Sequence, residues 1–228
     1  MISVLVPSRE RPDLLARSID SLGEGEFEVL VRVDEDDPRL DGYSQLPGVV
    51  VGGHYGYLGL HHYYNELADR ARGDWLFLWN DDCIMETRNW IDVVRSYDGK
   101  MAVLNPDTNH GNWEIDMNVF PILPRKMFEL MGHFSLSPHN DSWLEFVARD
   151  AGIMVRVPIS ILHDRADLTG NNADGVYAGR RRDREGFLSA EMESARERDV
   201  DAIRDYLARN ESARLEPADL RPPTEAAQ

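Results

Sequence analysis

Residues Trp75–Met85 read WLFLWNDDCIM. Five large apolar residues run without a break, Asn80, Asp81 and Asp82 follow in a row, and the chain turns apolar again at Ile84. A continuous apolar run of this kind suits a strand covered on both faces, as in a parallel sheet. Two adjacent carboxylates at its end repel each other and lose water, a cost that a divalent cation offsets. Oxygen donors favour a hard ion, Mg2+ or Mn2+. Such an ion is most useful where a diphosphate must be held or must leave. The same pair of acids also suits a turn that closes a strand.

Working outward, GLHHYYNELADRARG (Gly59–Gly73) places Leu60, Tyr64, Leu67 and Ala71 on one helical face, with Gly73 at the C-terminal cap position. Upstream, SVLVP (Ser3–Pro7), FEVLVRV (Phe27–Val33) and GVVVGG (Gly48–Gly53) read as short strands. Between the first two, RPDLLARSIDSL reads as a helix, with Pro12 near its start and Leu15, Ile19 and Leu22 at helical spacing. Downstream, NWIDVVRSY (Asn89–Tyr97) reads as a short helix and MAVLN (Met101–Asn105) as a strand. This alternation predicts an α/β fold with a mostly parallel central sheet flanked by helices.

Past Asn105 the pattern loosens. VFPILPRKMFELMG predicts a strand feeding a short helix, and DSWLEFVARDAG (Asp141–Gly152) a helix with Asp141 at or near its N-cap. IMVRVPISILHD predicts another strand. The expected organisation is a catalytic domain over 1–185, in halves 1–105 and 106–185. A charged helix over 186–212 and a loose polar tail over 213–228 would follow it.

Composition bounds the function. With 42% hydrophobic and 29% charged residues the chain is an ordinary globular mix. A formal net charge of -16 repels nucleic acid and anionic membrane on average. The one basic exception, GRRRDR (Gly179–Arg184), also suits a solvated loop. No apolar run approaches the roughly 20 residues of a membrane span, so no membrane insertion is expected. The start MISVLVPSRERP lacks the features of a signal peptide. Cys83 is the single cysteine, which rules out an internal disulfide and makes a cytoplasmic location the default expectation.

Ligands of open parallel sheets bind outside the carboxyl ends of the strands. Three strand ends here carry polar groups: Pro7, Ser8, Arg9, Glu10 and Arg11 after the first strand, Asp34 after the second, and Asn80, Asp81 and Asp82 after the apolar one. Together they define a cleft. Trp113 in HGNWEID suits either an acceptor site, stacking on a sugar or base, or the core. The Gly- and Asn-rich run DLTGNNADGVYAGRRR suits a closing lid, from which Arg180, Arg181 and Arg182 would hold a diphosphate. His61 and His62 suit a structural place at a helix start, beside a Gly-rich segment that borders a pyrophosphate site.

The order of these features resembles the GT-A-fold glycosyltransferases, and within them the inverting family two class. ISVLVPSRERPDLLARSIDSL looks like their opening strand and helix. GYLGLHHYYNELADRARGDWLFLW looks like their helix with a central Asn (Asn65), followed by Gly-Asp (Gly73-Asp74) and an apolar strand. By that resemblance Pro7, Ser8, Arg9, Arg11, Asp34 and Asp81 would bind a nucleotide-sugar, Asp34 at the base and Asp81 at the ribose. Asp82 and His163 would hold Mn2+ or Mg2+, and Asp141 in HNDSWLEFVAR would be the catalytic base. A UDP-sugar is the donor the resemblance favours, and the acceptor class stays open among small molecule, glycan, protein and modified nucleic acid. The match covers roughly residues 1 to 100. The chain departs from the family in being short, in Arg9 and Glu10 where an aromatic-Asn pair is commoner, and in lacking a Gln-x-x-Arg-Trp-type acceptor motif. Two other functions compete. A metal-dependent nucleotidyltransferase would carry a Gly-rich loop after the first strand, and PSRERPD has no Gly. A non-catalytic nucleotide-sugar-binding protein would bind its donor without a metal.

Overall fold

The computed structural model describes residues 1–179, 183–217 and 219. Its first half alternates as the sequence predicts: β1 (Ile2–Ser8), α1 (Pro12–Ser21), β2 (Phe27–Asp34), β3 (Val49–Gly52), α2 (Leu60–Arg70) and β4 (Trp75–Leu78). β5 (Cys83–Met85), α3 (Trp90–Arg95), β6 (Val103–Thr108), β7 (Ile122–Pro124), α4 (Arg125–Met131), α5 (Asn140–Ala151) and β8 (Met154–His163) follow. Three single helical turns, α6 (Ala166–Thr169), α7 (Gly175–Ala178) and α8 (Arg184–Phe187), lead to the long α9 (Ala190–Arg209).

Among the described residues the strands form one eight-stranded sheet in the order β3-β2-β1-β4-β7-β6-β8-β5. Four of the pairings are parallel and three antiparallel. The parallel half comes from the regular strand–helix alternation. The antiparallel contacts come from β7 and β5, three-residue strands too short to show a period in the sequence. β4 is buried at every residue, as its unbroken apolar run requires of a strand covered on both faces.

Packing around β4 fixes the strand ends. Trp79 is fully buried, and its indole N–H donates to Ser18 Oγ of α1 at 2.8 Å. The Tyr64 hydroxyl of α2 donates to the Trp79 carbonyl at 3.0 Å and to Asn80 Oδ1 at 3.1 Å. Gly73 is required before β4, because a Cβ there would stand 2.6 Å from the backbone nitrogen of Ser3. β8 runs through Pro158, which is exposed, and its register with β6 slips there: Pro106 pairs Val157 and Asp107 pairs Ser160. A proline inside a strand is tolerated at such an irregularity.

α9 packs on α4 and α5. Just beyond it Ala213 is buried, and its carbonyl accepts from Met101 N at 2.8 Å. No described helix is long and apolar enough to cross a membrane.

Candidate active site

The parallel register sets Ser8 beside Val33 and Leu5 beside Leu78, so β1, β2 and β4 end at one edge. A cleft of about 420 Å³ opens there, within the usual range of ligand sites. It is lined by Pro7, Ser8, Arg9, Arg11, Asp34, Asp81 and Asp82, the strand-end residues that the sequence singles out, together with His163 from the far end of β8.

At one end Asp34 is 3% exposed. Its Oδ1 accepts from the Tyr63 hydroxyl at 2.8 Å, and its Oδ2 accepts from Arg9 Nη1 at 3.0 Å and lies 2.9 Å from His54 Nδ1. Burial together with the Asp34 charge pushes the Tyr63 phenol up to about 12, so it stays a donor. Arg9 also reaches Asp36 at 2.6 Å, and these two acids hold its guanidinium charged despite its partial burial.

In the centre the two adjacent acids are handled differently. Asp81 accepts from Ser8 Oγ at 2.8 Å and from Arg11 Nη1 at 3.1 Å. Burial and the charge of Asp82 push Asp81 up, and Arg11 only partly offsets them. Asp82 lies with Oδ1 3.0 Å from His163 Nε2 and Oδ2 3.6 Å from Arg11 Nη1. Burial works to raise Asp82 as well, but the His163 contact and the Arg11 charge outweigh it and hold the carboxyl low. Of the two, Asp82 is the one held lower and the more readily ionised.

His163 reaches Asp82 because β5 pairs antiparallel with the end of β8, setting Cys83 opposite His163. The Asp164 amide then donates to the Asp82 carbonyl at 2.8 Å. Behind the ring, Asn109 brackets His163, its Oδ1 accepting from the His163 amide at 2.9 Å and its Nδ2 donating to the His163 carbonyl at 3.1 Å. His110 Nε2 lies 2.9 Å from His163 Nδ1, and burial followed by the nearness of His163 pulls His110 down to about 4.

This donor set fits a hard divalent ion. Asp82, Cys83 and His163 place one ligand atom each within 4.8 Å of one another. Burial and the Asp82 charge drive the Cys83 thiol well upward, so it stays protonated and the set reduces to a carboxylate oxygen and an imidazole nitrogen. The guanidinium of Arg11, held between Asp81 and Asp82, marks this as a place where the fold accommodates positive charge.

The other expected residues lie apart. Asp141 lies near the helix cap rather than on it: α5 begins at Asn140, His139 holds the cap position, and Asp141 sits in the first turn. Its Oδ1 accepts from the Ser142 amide at 2.8 Å, and burial pushes its carboxyl up. Asp141 does not line the cleft, but its charge, like that of Asp81, acts on the Tyr64 hydroxyl, which is bonded to Asn80. Trp113 is also outside the cleft lining. Its indole N–H donates to the Asn105 carbonyl at 3.1 Å, and Arg156 stands 6.0 Å over the ring. Arg180 and Arg181, with Arg182, lie outside the described residues.

Sequence reading missed His54, Tyr63, His110 and Asp174. Asp174 forms a fork with Arg11 across the cleft, Nε to Oδ2 at 2.7 Å and Nη2 to Oδ1 at 2.6 Å. Its neighbours Gly175 and Val176 line the cleft, as does Gly179. The Gly- and Asn-rich composition flagged this segment, but not which of its residues would reach the strand ends.

No protein-family model matches the chain, and no curated protein sequence does. Solved structures match in fold. The mannosyltransferase PcManGT from Pyrobaculum calidifontis, in complex with GDP-Man and Mn2+, superposes with a TM-score of 0.56 at 13% identity, over 95% of this chain and 76% of that one. A shorter fragment of TarS from S. aureus gives 0.55 at 13% identity over 91% of each chain. The longer TarS structure gives 0.52 at 14% identity, over 70% of this chain and 36% of that one. The chain has the fold of the GT-A glycosyltransferases.

Proposed function

We propose that this cleft transfers a sugar from a nucleoside diphosphate to an acceptor hydroxyl, with a divalent metal and with inversion at the anomeric carbon. The observation that carries the reading is the meeting of Asp82 and His163, brought together in the cleft by the β5–β8 pairing. The charge balance supports it. The chain carries a net charge of -16, yet the described residues lining the cleft include four arginines (9, 11, 32 and 165) against four acids (10, 34, 81 and 82). An anionic donor is thus not repelled where it would sit.

In this reading Asp34 and the groups around it receive the base, and Asp81, fixed by Ser8, receives the ribose. Asp82 and His163 would hold Mn2+ or Mg2+, which when bound supplies Lewis-acid stabilisation of the departing diphosphate. Arg11 adds a fixed positive charge beside it. Asp141 takes the proton of the acceptor hydroxyl as that oxygen attacks the anomeric carbon. A UDP-sugar is the donor favoured by the family resemblance, while the structurally similar mannosyltransferase is a GDP-Man complex.

A thermal-shift panel with UDP, GDP, dTDP and CDP, each with Mn2+ and with a chelator, tests the reading. One nucleotide is expected to raise the midpoint, with most of the rise lost on chelation. No shift with any of the four would remove the donor site.

Asp174 supplies a further expected result. Its carboxylate occupies the donor groups of Arg11 that a diphosphate would use. Asp174 is 41% exposed at the side chain, so this fork is partly screened. Asp174→Ala is therefore expected to tighten nucleoside diphosphate binding by about 1.4- to fivefold, corresponding to surface pairs of roughly 0.2–1 kcal/mol. Calorimetric titration reads it. Unchanged or weaker binding would mean that Arg11 does not face the phosphates.

A further inference from the structure

We infer that His110 is a positioning residue for His163, and that the two imidazoles exchange tautomers when His163 takes up a metal ion. This rests on the reading above that Asp82 and His163 hold the ion. The geometry is a chain of three groups: Asp82 Oδ1 to His163 Nε2 at 3.0 Å, then His163 Nδ1 to His110 Nε2 at 2.9 Å. A neutral imidazole has one N–H and one lone pair, and an ionised carboxylate only accepts. Facing Asp82 alone, a neutral His163 carries its proton on Nε2. Its Nδ1 then accepts, and His110 Nε2–H donates.

To ligate an ion through Nε2, His163 must give up that proton. It regains one at Nδ1 from His110 Nε2, and His110, which is partly exposed, in turn takes a proton at its own Nδ1 from solvent. The hydrogen bond between the rings survives with its direction reversed, and the net proton count is unchanged. Only a group that can both donate and accept supports both states, and histidine does so by switching tautomer.

The scaffold holds the pair in register. Asn109, the residue before His110, clamps the His163 backbone from both sides. The His110 amide donates to Thr108 Oγ1 at 3.2 Å, and Thr108 in turn donates to Asn112 Oδ1 from both its amide and its hydroxyl. Phe120 meets the His163 ring edge-on, with centroids 5.1 Å apart. The ring therefore has one position, and His110 sets which of its nitrogens is free.

The test uses His110→Gln, whose amide can donate or accept, and His110→Phe, which does neither. Free Mn2+ is followed by electron paramagnetic resonance during titration of the full chain, first with Mn2+ alone and then with UDP or GDP present. The unfolding midpoint in chelator is measured for each variant. His110→Phe is expected to raise the Mn2+ Kd by about 10–100-fold, the usual effect of losing the partner behind a metal-bound histidine. His110→Gln is expected to stay within about threefold of the parent, and Asp82→Ala to bind least. In the parent protein, nitrogen NMR should place the His163 proton on Nε2 without metal and on Nδ1 with Mg2+, a readout that needs no variant. An unchanged Kd in His110→Phe beside a lost one in Asp82→Ala would overturn the proposal and leave the metal reading standing. A His163 tautomer that does not move with Mg2+ would also overturn it. Equal Mn2+ binding by the parent and Asp82→Ala would overturn the metal reading, and this inference with it.

Discussion

Asp82→Ala is expected to erase the Mn2+-dependent part of nucleotide stabilisation and to leave the metal-free part in place. A ligand at about 100 times its Kd stabilises by roughly 2.7 kcal/mol. For a domain of this size that is a rise of about 5–10 °C, at roughly 2–4 °C per kcal/mol. The division of labour between the two acids makes the prediction specific. Asp81 is turned to Ser8 and Arg11, whereas Asp82 alone faces His163. Alanine at 82 thus removes one of the two proposed metal donors but keeps Arg11, Asp81 and the Asp34 end of the cleft.

The fold itself should tolerate the change. Losing Asp82 leaves His163 without its carboxylate, a cost of about 1–3 kcal/mol for an unsatisfied buried group. Against that, the charge of Asp82 is one of the causes that push Asp81 up, and its removal lets Asp81 ionise beside Arg11. The midpoint in chelator should therefore move little compared with the lost nucleotide response. A full Mn2+-dependent shift in Asp82→Ala would return residues 80–82 to the status of a turn.

The parallel half of the sheet was legible because its strands and helices are local and strongly patterned. The unbroken apolar run of β4 implied burial on both faces, and every β4 residue is buried. The strand-end residues Ser8, Asp34 and Asp81 were legible for the same reason, since a parallel register puts them at one edge whatever the rest of the chain does. His163 was different. Nothing in ISILHD says that its last residues pair with Cys83–Met85, and a three-residue strand carries no period to read. Only the family resemblance pointed to it. The Arg11–Asp174 fork spans 163 positions and was not legible at all. Asp141, expected at or near the N-cap of its helix, lies in the first turn, one of the two places that an acid just before an apolar run serves. Trp113 was ambiguous because an indole suits a sugar or a core equally, and its N–H is bonded to the β6 backbone.

Asp141→Asn is expected to lower turnover by about 10²–10⁴-fold, the range for losing a general base, while the nucleotide thermal shift stays at the parent value. The substitution is nearly isosteric, and the amide oxygen can still accept from the Ser142 N–H, so the first turn of α5 keeps its geometry. Loss of a first-turn charge costs only about 0.3–1 kcal/mol of helix stability, too little to unfold the chain. Burial raises the Asp141 carboxyl, which strengthens it as a base but narrows the range in which it is ionised. The rate should accordingly fall on acidification at a pH above the ordinary carboxylate range, and Asp141→Asn should remove that limb. The position of Asp141 gives the reason to expect a split between binding and turnover. It lies off the wall of the donor cleft, yet close enough for its charge to act on Tyr64, whose hydroxyl is bonded to Asn80 beside the two acids. Release of nucleoside diphosphate from the donor, with water or an added acceptor as nucleophile, measures the rate. If Asp141→Asn turns over at the parent rate, Asp141 is an acid favourably placed at a helix start, and the base must be sought on another element facing Asn80.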